Sequence, residues 1–101
     1  MRFIDSVGEN TKITLSGKLD FTVASDLMDE LKTLQGSGVR RIDVECGSLE
    51  YISSAGIRSM VFLKQRLDKD EHVEVYMHHA SQQVKEVFEL SGLGDYFEFT
   101  D

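Results

Sequence analysis

Two adjacent serines, at the junction of a strand-like and a helix-like segment, are the residues of this sequence best suited to chemistry. They lie in the stretch Tyr51-Ile52-Ser53-Ser54-Ala55-Gly56-Ile57-Arg58. A serine at a helix entry can accept hydrogen bonds from first-turn N–H groups that have no partner within the helix. The same free N–H groups and the helix dipole favour negative charge, so a phosphate is tolerated there too. On local sequence alone, either Ser53 or Ser54 can be a cap and nothing more. A nucleophilic role would need a base oriented by a third group, and neither such a triad nor a G-x-S-x-G elbow is signalled.

The other reactive side chains are scattered. His72, His78, His79 and Cys46 match no metal-ligand spacing. His78 and His79 are neighbours, and on a strand they would point to opposite faces. Surface histidines and a core cysteine are expected, with no metal site. Asp20 and Asp26 span a strand-to-helix turn and read as solvated acids rather than an acid–base pair. Neither G-x-G-x-x-G nor G-x-x-x-x-G-K-[ST] occurs, so no loop is offered to a nucleotide and no cofactor is expected. The formal net charge of −7 argues against nucleic acid or an anionic membrane as partner and suits a protein with a basic docking face.

Composition bounds what can position these groups. The 101 residues suffice for one domain with one modest core, residues 1–101. No apolar run has the length of a membrane span, and the N-terminus lacks the apolar core of a signal peptide. A lone cysteine cannot form an internal disulfide, which makes a reducing, cytoplasmic setting the expectation.

The periodicity supplies the elements. Phe3-Ile4 suggests an edge strand over Met1 to Ser6, and Val7 to Asn10 reads as a turn. Thr11 to Leu19 alternates, with Ile13, Leu15, Gly17 and Leu19 on one side. From Val23 the period turns helical, with Ala24, Leu27, Met28, Leu31 and Leu34 on one stripe and Asp26, Asp29 and Glu30 on the polar face. Gly36-Ser37-Gly38 ends this helix. Val39 to Cys46 alternates again, Gly47-Ser48 reads as a turn, and Leu49 to Ile52 leads into the serines. A helix is predicted from about Ser54 to Leu67, with Ile57, Met60, Val61 and Leu67 inward and Arg58, Lys64, Gln65 and Arg66 outward. A charged connection, Asp68 to Glu71, precedes a third interior strand with Val73, Val75 and Met77 on one face. Ala80-Ser81 opens a last helix with Val84, Val87 and Phe88 inward. Ser91-Gly92-Leu93-Gly94 stops it, and Tyr96 to Phe99 suggests a short closing strand.

Helical crossovers between strands favour parallel pairing with right-handed connections. The strands alternate rather than running continuously apolar, so only one sheet face is covered. The expected fold is an α/β two-layer sandwich: a mixed, mostly parallel sheet of four or five strands with helices on one face.

In this order and spacing, three segments resemble the STAS domain family, found in anti-anti-sigma factors and sulphate transporters. Gly17-Lys18-Leu19-Asp20 resembles its G-x-L-D turn. Val44 to Ile57 resembles its central strand, loop and phosphorylation motif. Ser81 to Leu93 is similar to its last helix and Ser-Gly-Leu ending. For a stand-alone member the resemblance implies a regulatory protein, not an enzyme: an anti-sigma factor antagonist working by partner switching. Its partners would be an anti-sigma factor with serine kinase activity, bound while the antagonist is unphosphorylated, and a PP2C-type serine phosphatase that reverses the modification. The family motif Asp-Ser-[Ser/Thr]-Gly places the acceptor at Ser54, with Ser53 the adjacent alternative. Ser53 stands where the family has aspartate, and Ala55 follows the acceptor, a variant the family contains. Asp20, Ser53, Ser54, Ala55, Gly56 and Arg58 are the expected partner-binding residues. At Gly56, a flat surface for a partner and close packing of helix on strand both remain open. At Asp20, docking and a helix N-terminal acid both remain open. A STAS module serving another kinase–phosphatase pathway, in secretion, motility or a signalling assembly, and a small serine hydrolase are the alternative functions. The oligomeric state stays open.

Overall fold

The alternating segments pair side by side in the order in which they occur in the chain. In a computed structural model, residues 2–67 and 73–100 are described, those at 66 and 67 by backbone alone. Five strands form one sheet in the order β1-β2-β3-β4-β5. They are β1 (Ile4–Ser6), β2 (Asn10–Leu19), β3 (Arg41–Ile52), β4 (Glu74–His78) and β5 (Glu98–Thr100). β1 is antiparallel to β2; the other three pairings are parallel. The helices are α1 (Phe21–Lys32), α2 (Ser54–Phe62) and α3 (Gln82–Leu90). The predicted second helix is thus shorter than expected, and Leu63–Leu67 follows as a π-helical turn. The expected connection Asp68 to Glu71, His72 and the side-chain directions of Arg66 and Leu67 lie outside the described residues. Among the described residues no helix is long and apolar enough to cross a membrane.

One face of the sheet is dry. Ile13, Leu15, Ile42, Val44, Cys46, Val75 and Met77 are buried there, together with Leu27, Leu31, Ile57, Met60, Val84 and Phe88 from the helices. Phe88 of α3 meets Phe97 and Phe99 edge-on, with ring centroids 5.2 and 5.3 Å apart, which favours the geometry of the aromatic quadrupole. α3 ends as its glycine suggested. Gly92 has φ +77, its N–H donates to the Glu89 carbonyl, and the Leu93 N–H donates to the Phe88 carbonyl. This is the Schellman arrangement, which needs a residue free to adopt the left-handed region.

The structure corrects the reading of Gly47-Ser48 as a turn. β3 runs through it without a break. Thr14 lies opposite Glu45 but Ser16 opposite Ser48, so β3 carries one extra residue there; it carries another between Leu49 and Tyr51, opposite Gly17 and Lys18. Such bulges shift the facing of every later residue. Strict alternation from Ile42, Val44 and Cys46 would send Leu49 to the wet face. The first bulge turns Leu49 inward, and the second restores the parity that buries Ile52.

The opposite face is polar and self-satisfied. Arg41 donates to Asp43 through Nε and Nη2, and its guanidinium lies 4.3 Å from the Tyr76 ring centroid. His78 Nε2 is 2.7 Å from Asp43 Oδ1, and His78 Nδ1 is 2.6 Å from Thr100 Oγ1. A tautomer donating from Nε2 to Asp43 leaves Nδ1 to accept from the Thr100 hydroxyl. The ring therefore links β3, β4 and β5. The two histidines do not point to opposite faces. His79 lies just past β4 with φ 58, outside extended geometry, and its Nδ1 reaches Glu45 at 2.9 Å on the same face as His78. Alternation fails there because it presupposes extended backbone.

Partial burial pushes the Asp43 carboxyl upward, but hydrogen bonds from Arg41 and His78 more than offset it and hold it below the usual range. A carboxyl depressed in the folded state stabilises the fold fully above its unfolded pKa, ordinarily about 3.9, and the stabilisation is lost as pH falls through the lower folded value. Asp43→Asn is therefore expected to lower the melting temperature by a few degrees near neutrality, with the gap to the parent closing in strong acid. Thermal melts across pH check this; a gap that persists or grows in acid would contradict it.

Candidate functional site

The C-terminal ends of β2 and β3 lie side by side, with Leu19 opposite Ile52. A helix starts directly after each. Asp20 caps α1: its Oδ1 accepts from the Val23 N–H at 3.0 Å. Ser53 caps α2: its Oγ accepts from the Gly56 N–H at 3.2 Å. The Ser53 hydroxyl also donates to the Leu19 carbonyl at 2.9 Å, and its backbone N–H reaches the same carbonyl at 2.9 Å. These bonds hold the two helix entries together and fix Asp20 beside the serine pair.

The serines divide the roles that the sequence left open. Ser53 is half-buried and its oxygen is engaged by backbone groups on both sides. Ser54 is the first residue of α2, exposed, and its hydroxyl has no partner among the described residues. It also stands where first-turn N–H groups and the helix dipole offer positive potential. Arg58, also exposed, is four residues further along α2 and so on the same helix face. Ala55 is half-buried.

Gly56 does not face outward. A Cβ there would lie 2.8 Å from Ile52 Cγ1 and 3.0 Å from Leu19 Cγ and Cδ2. Of its two readings, close packing of helix on strand is the one this geometry requires. Asp20 caps α1 and is exposed, so the helix role leaves its carboxylate accessible from outside.

Two contributors went unnoticed in the sequence. Ser59 is 1% exposed, and its hydroxyl lies 3.2 Å from both the Ala24 and the Ala55 carbonyls, tying α2 to α1. Glu30, expected on a polar face, receives the backbone N–H groups of Arg2, Phe3 and Ile4 and so anchors the start of β1 to α1. Neither role has a local sequence signal, since each partner is distant along the chain.

Among the described residues no imidazole touches either serine: the Ser53 partners are backbone groups and Ser54 has none. Cys46 is buried, and desolvation followed by the nearby Glu45 charge pushes its thiol up to about 12, which keeps it unreactive. Among the described residues no three His, Cys, Asp or Glu side chains converge on a metal-sized position.

Comparison with known proteins places this geometry in context. A family profile described as "Mlab, STAS domain" matches residues 3–99. BtrV of Bordetella bronchiseptica, named as an anti-sigma factor antagonist, is 35% identical over 78 residues, which span 77% of this chain and 66% of BtrV. The anti-sigma-B factor antagonist of Staphylococcus aureus is 26% identical over 84 residues, 83% of this chain and 77% of that protein. Among solved structures, unphosphorylated SpoIIAA, an anti-sigma factor antagonist, aligns with a TM-score of 0.80 at 23% identity, covering 97% of this chain and 86% of that one. The phosphorylated form of SpoIIAA, from Bacillus, gives 0.75 at 23% identity, covering 97% and 89%.

Proposed function

Because the chain belongs to the STAS domain family, we propose that it is an anti-sigma factor antagonist, with residues 1–101 as a single STAS domain working in the cytoplasm. It binds an anti-sigma factor while Ser54 is unmodified and lets go when Ser54 carries phosphate. The bound anti-sigma factor is itself the serine kinase, and a PP2C-type phosphatase resets the switch. Asp20, Ser54, Ala55 and Arg58 form the docking face; Ser53 and Gly56 act from beneath it, by capping and by packing.

The observation that carries this reading is the contrast between the serines. A kinase needs a hydroxyl it can reach, and Ser54 is exposed with no partner among the described residues, while Ser53 is held at both ends. Phosphate on Ser53 would remove its donor bond to Leu19 and disturb the cap on Gly56. Phosphate on Ser54 adds a charge of about −1.5 to −2 at a helix start, where the dipole favours it.

Incubation of the protein with the anti-sigma factor kinases of the same cell and ATP, followed by mass spectrometry, tests the assignment. Ser54→Ala is expected to abolish labelling. Ser53→Ala is expected only to slow it, and to cost about 1 kcal/mol of stability through the lost cap. Labelling that survives in Ser54→Ala and vanishes in Ser53→Ala would move the acceptor by one residue. The identity of the kinase that labels the protein also names the pathway, and so distinguishes sigma control from another kinase–phosphatase output. A serine hydrolase finds no support in the side chains around Ser53 and Ser54.

A further inference from the structure

An apolar groove of about 270 Å³ runs between α1 and α2, walled by Phe21, Ala24, Met28 and Ala55, with Lys32 and Arg58 among its polar margins. We propose that this groove receives one apolar side chain of the anti-sigma factor, flanked by an acidic residue, and that Phe21 is the anchor of the contact. The proposal rests on the reading of Ser54 as the acceptor and names the surface that reading left undefined.

Position decides the occupant. Ala55 is the residue after Ser54 and Phe21 the residue after Asp20, so the groove begins where the acceptor and its neighbouring acid end. A kinase whose active site reaches the Ser54 hydroxyl covers this opening. The floor makes no polar demand, because the Ser59 hydroxyl is already spent on the Ala24 and Ala55 carbonyls. Phe21 is 75% exposed at the first position of α1, at the outer edge of the apolar stripe and beyond the part that packs onto the sheet. A large aromatic side chain beside a pocket has the character of interface residues that dominate affinity, and Met28 adapts readily to an inserted side chain. Lys32 and Arg58 have no ion-pair partner among the described residues, although the chain as a whole carries a net charge of −7. With Asp29 in the same wall they leave the margin one positive charge in excess, which favours a carboxylate on the partner. A single exposed aromatic is by itself ordinary; it is the cavity beside it, the free cations and the adjoining acceptor that single it out.

Calorimetric titration of the unphosphorylated protein with each purified anti-sigma factor kinase of the same cell tests the proposal. Phe21→Ala removes the anchor, and Ser25→Trp fills the groove from an exposed position on its wall. Each is expected to weaken binding by at least about tenfold with the melting temperature unchanged. Leu90→Ala, at an equally exposed apolar residue on α3, is expected to leave affinity as it was. If Ser54→Asp weakens binding while Phe21→Ala and Ser25→Trp bind like the parent, the groove is not the contact, and the reading of Ser54 stands. If Phe21→Ala and Ser25→Trp alter self-association in sedimentation but not kinase affinity, the occupant is a second copy and the proposal is overturned. If no kinase binds the parent protein or labels Ser54, the reading of the acceptor fails and the groove proposal fails with it.

Discussion

Ser54→Asp is expected to lower affinity for the anti-sigma factor by about a hundredfold, roughly 3 kcal/mol, while leaving the melting temperature almost unchanged. One position has two environments. In the free protein, Ser54 is exposed at the first residue of α2 and makes no bond that the substitution would break. A carboxylate there is neutral or mildly favourable, by about 0.3–1 kcal/mol. In the complex it would lose water and meet a surface suited to a neutral hydroxyl. Aspartate is smaller and less charged than phosphoserine, so true phosphorylation is expected to weaken binding further. Calorimetry against the anti-sigma factor and a thermal melt, on the same preparation, decide it. A large fall in melting temperature would make Ser54 a structural residue. An intact fold with parental affinity would place the docking face elsewhere.

Gly56→Ala is expected to have the opposite profile. Its new methyl group would lie 2.8 Å from Ile52 Cγ1 and 3.0 Å from two carbons of Leu19, closer than side chains tolerate without moving. Overpacking of this kind costs about 1–3 kcal/mol, and in a domain of this size each kcal/mol lowers the melting temperature by roughly 4–8 °C. The shift would push α2 away from the ends of β2 and β3 and disturb the Ser53 bonds to Leu19 and Gly56 that hold the site. Denaturant unfolding checks the cost. Parental stability would mean that Ile52 and Leu19 yield freely, and that the close approach of α2 to the strands is not what requires glycine here. Partner affinity measured well below the melting transition should fall less than in Ser54→Asp, because Gly56 is buried and does not itself meet the partner.

The two variants separate what the chain discloses locally from what it does not. Strand alternation in Ile13/Leu15, Ile42/Val44/Cys46 and Val75/Met77 and the apolar stripes of the helices are legible in sequence. Each is a relation between residues a few positions apart, and the one-sided pattern already implies a sheet covered on one face. The serine pair at a helix entry is legible for the same reason, as is the glycine that ends α3. Which serine is bonded and which is free was decided by the Leu19 carbonyl, thirty-four residues away from Ser53 in the chain. The inward facing of Gly56 was decided by the side chains of Leu19 and Ile52. Gly47-Ser48 has the composition of a turn, yet the pairing of β3 with β2 on one side draws it into a bulged strand. His79 escapes alternation because its backbone is left-handed. The groove beside Ser54 lies between α1 and α2, two helices joined by the bond from the Ser59 hydroxyl to the Ala24 carbonyl, thirty-five residues apart. Propensity and periodicity act along the chain, whereas hydrogen bonds and close packing between distant segments are settled only when the sheet brings those segments together.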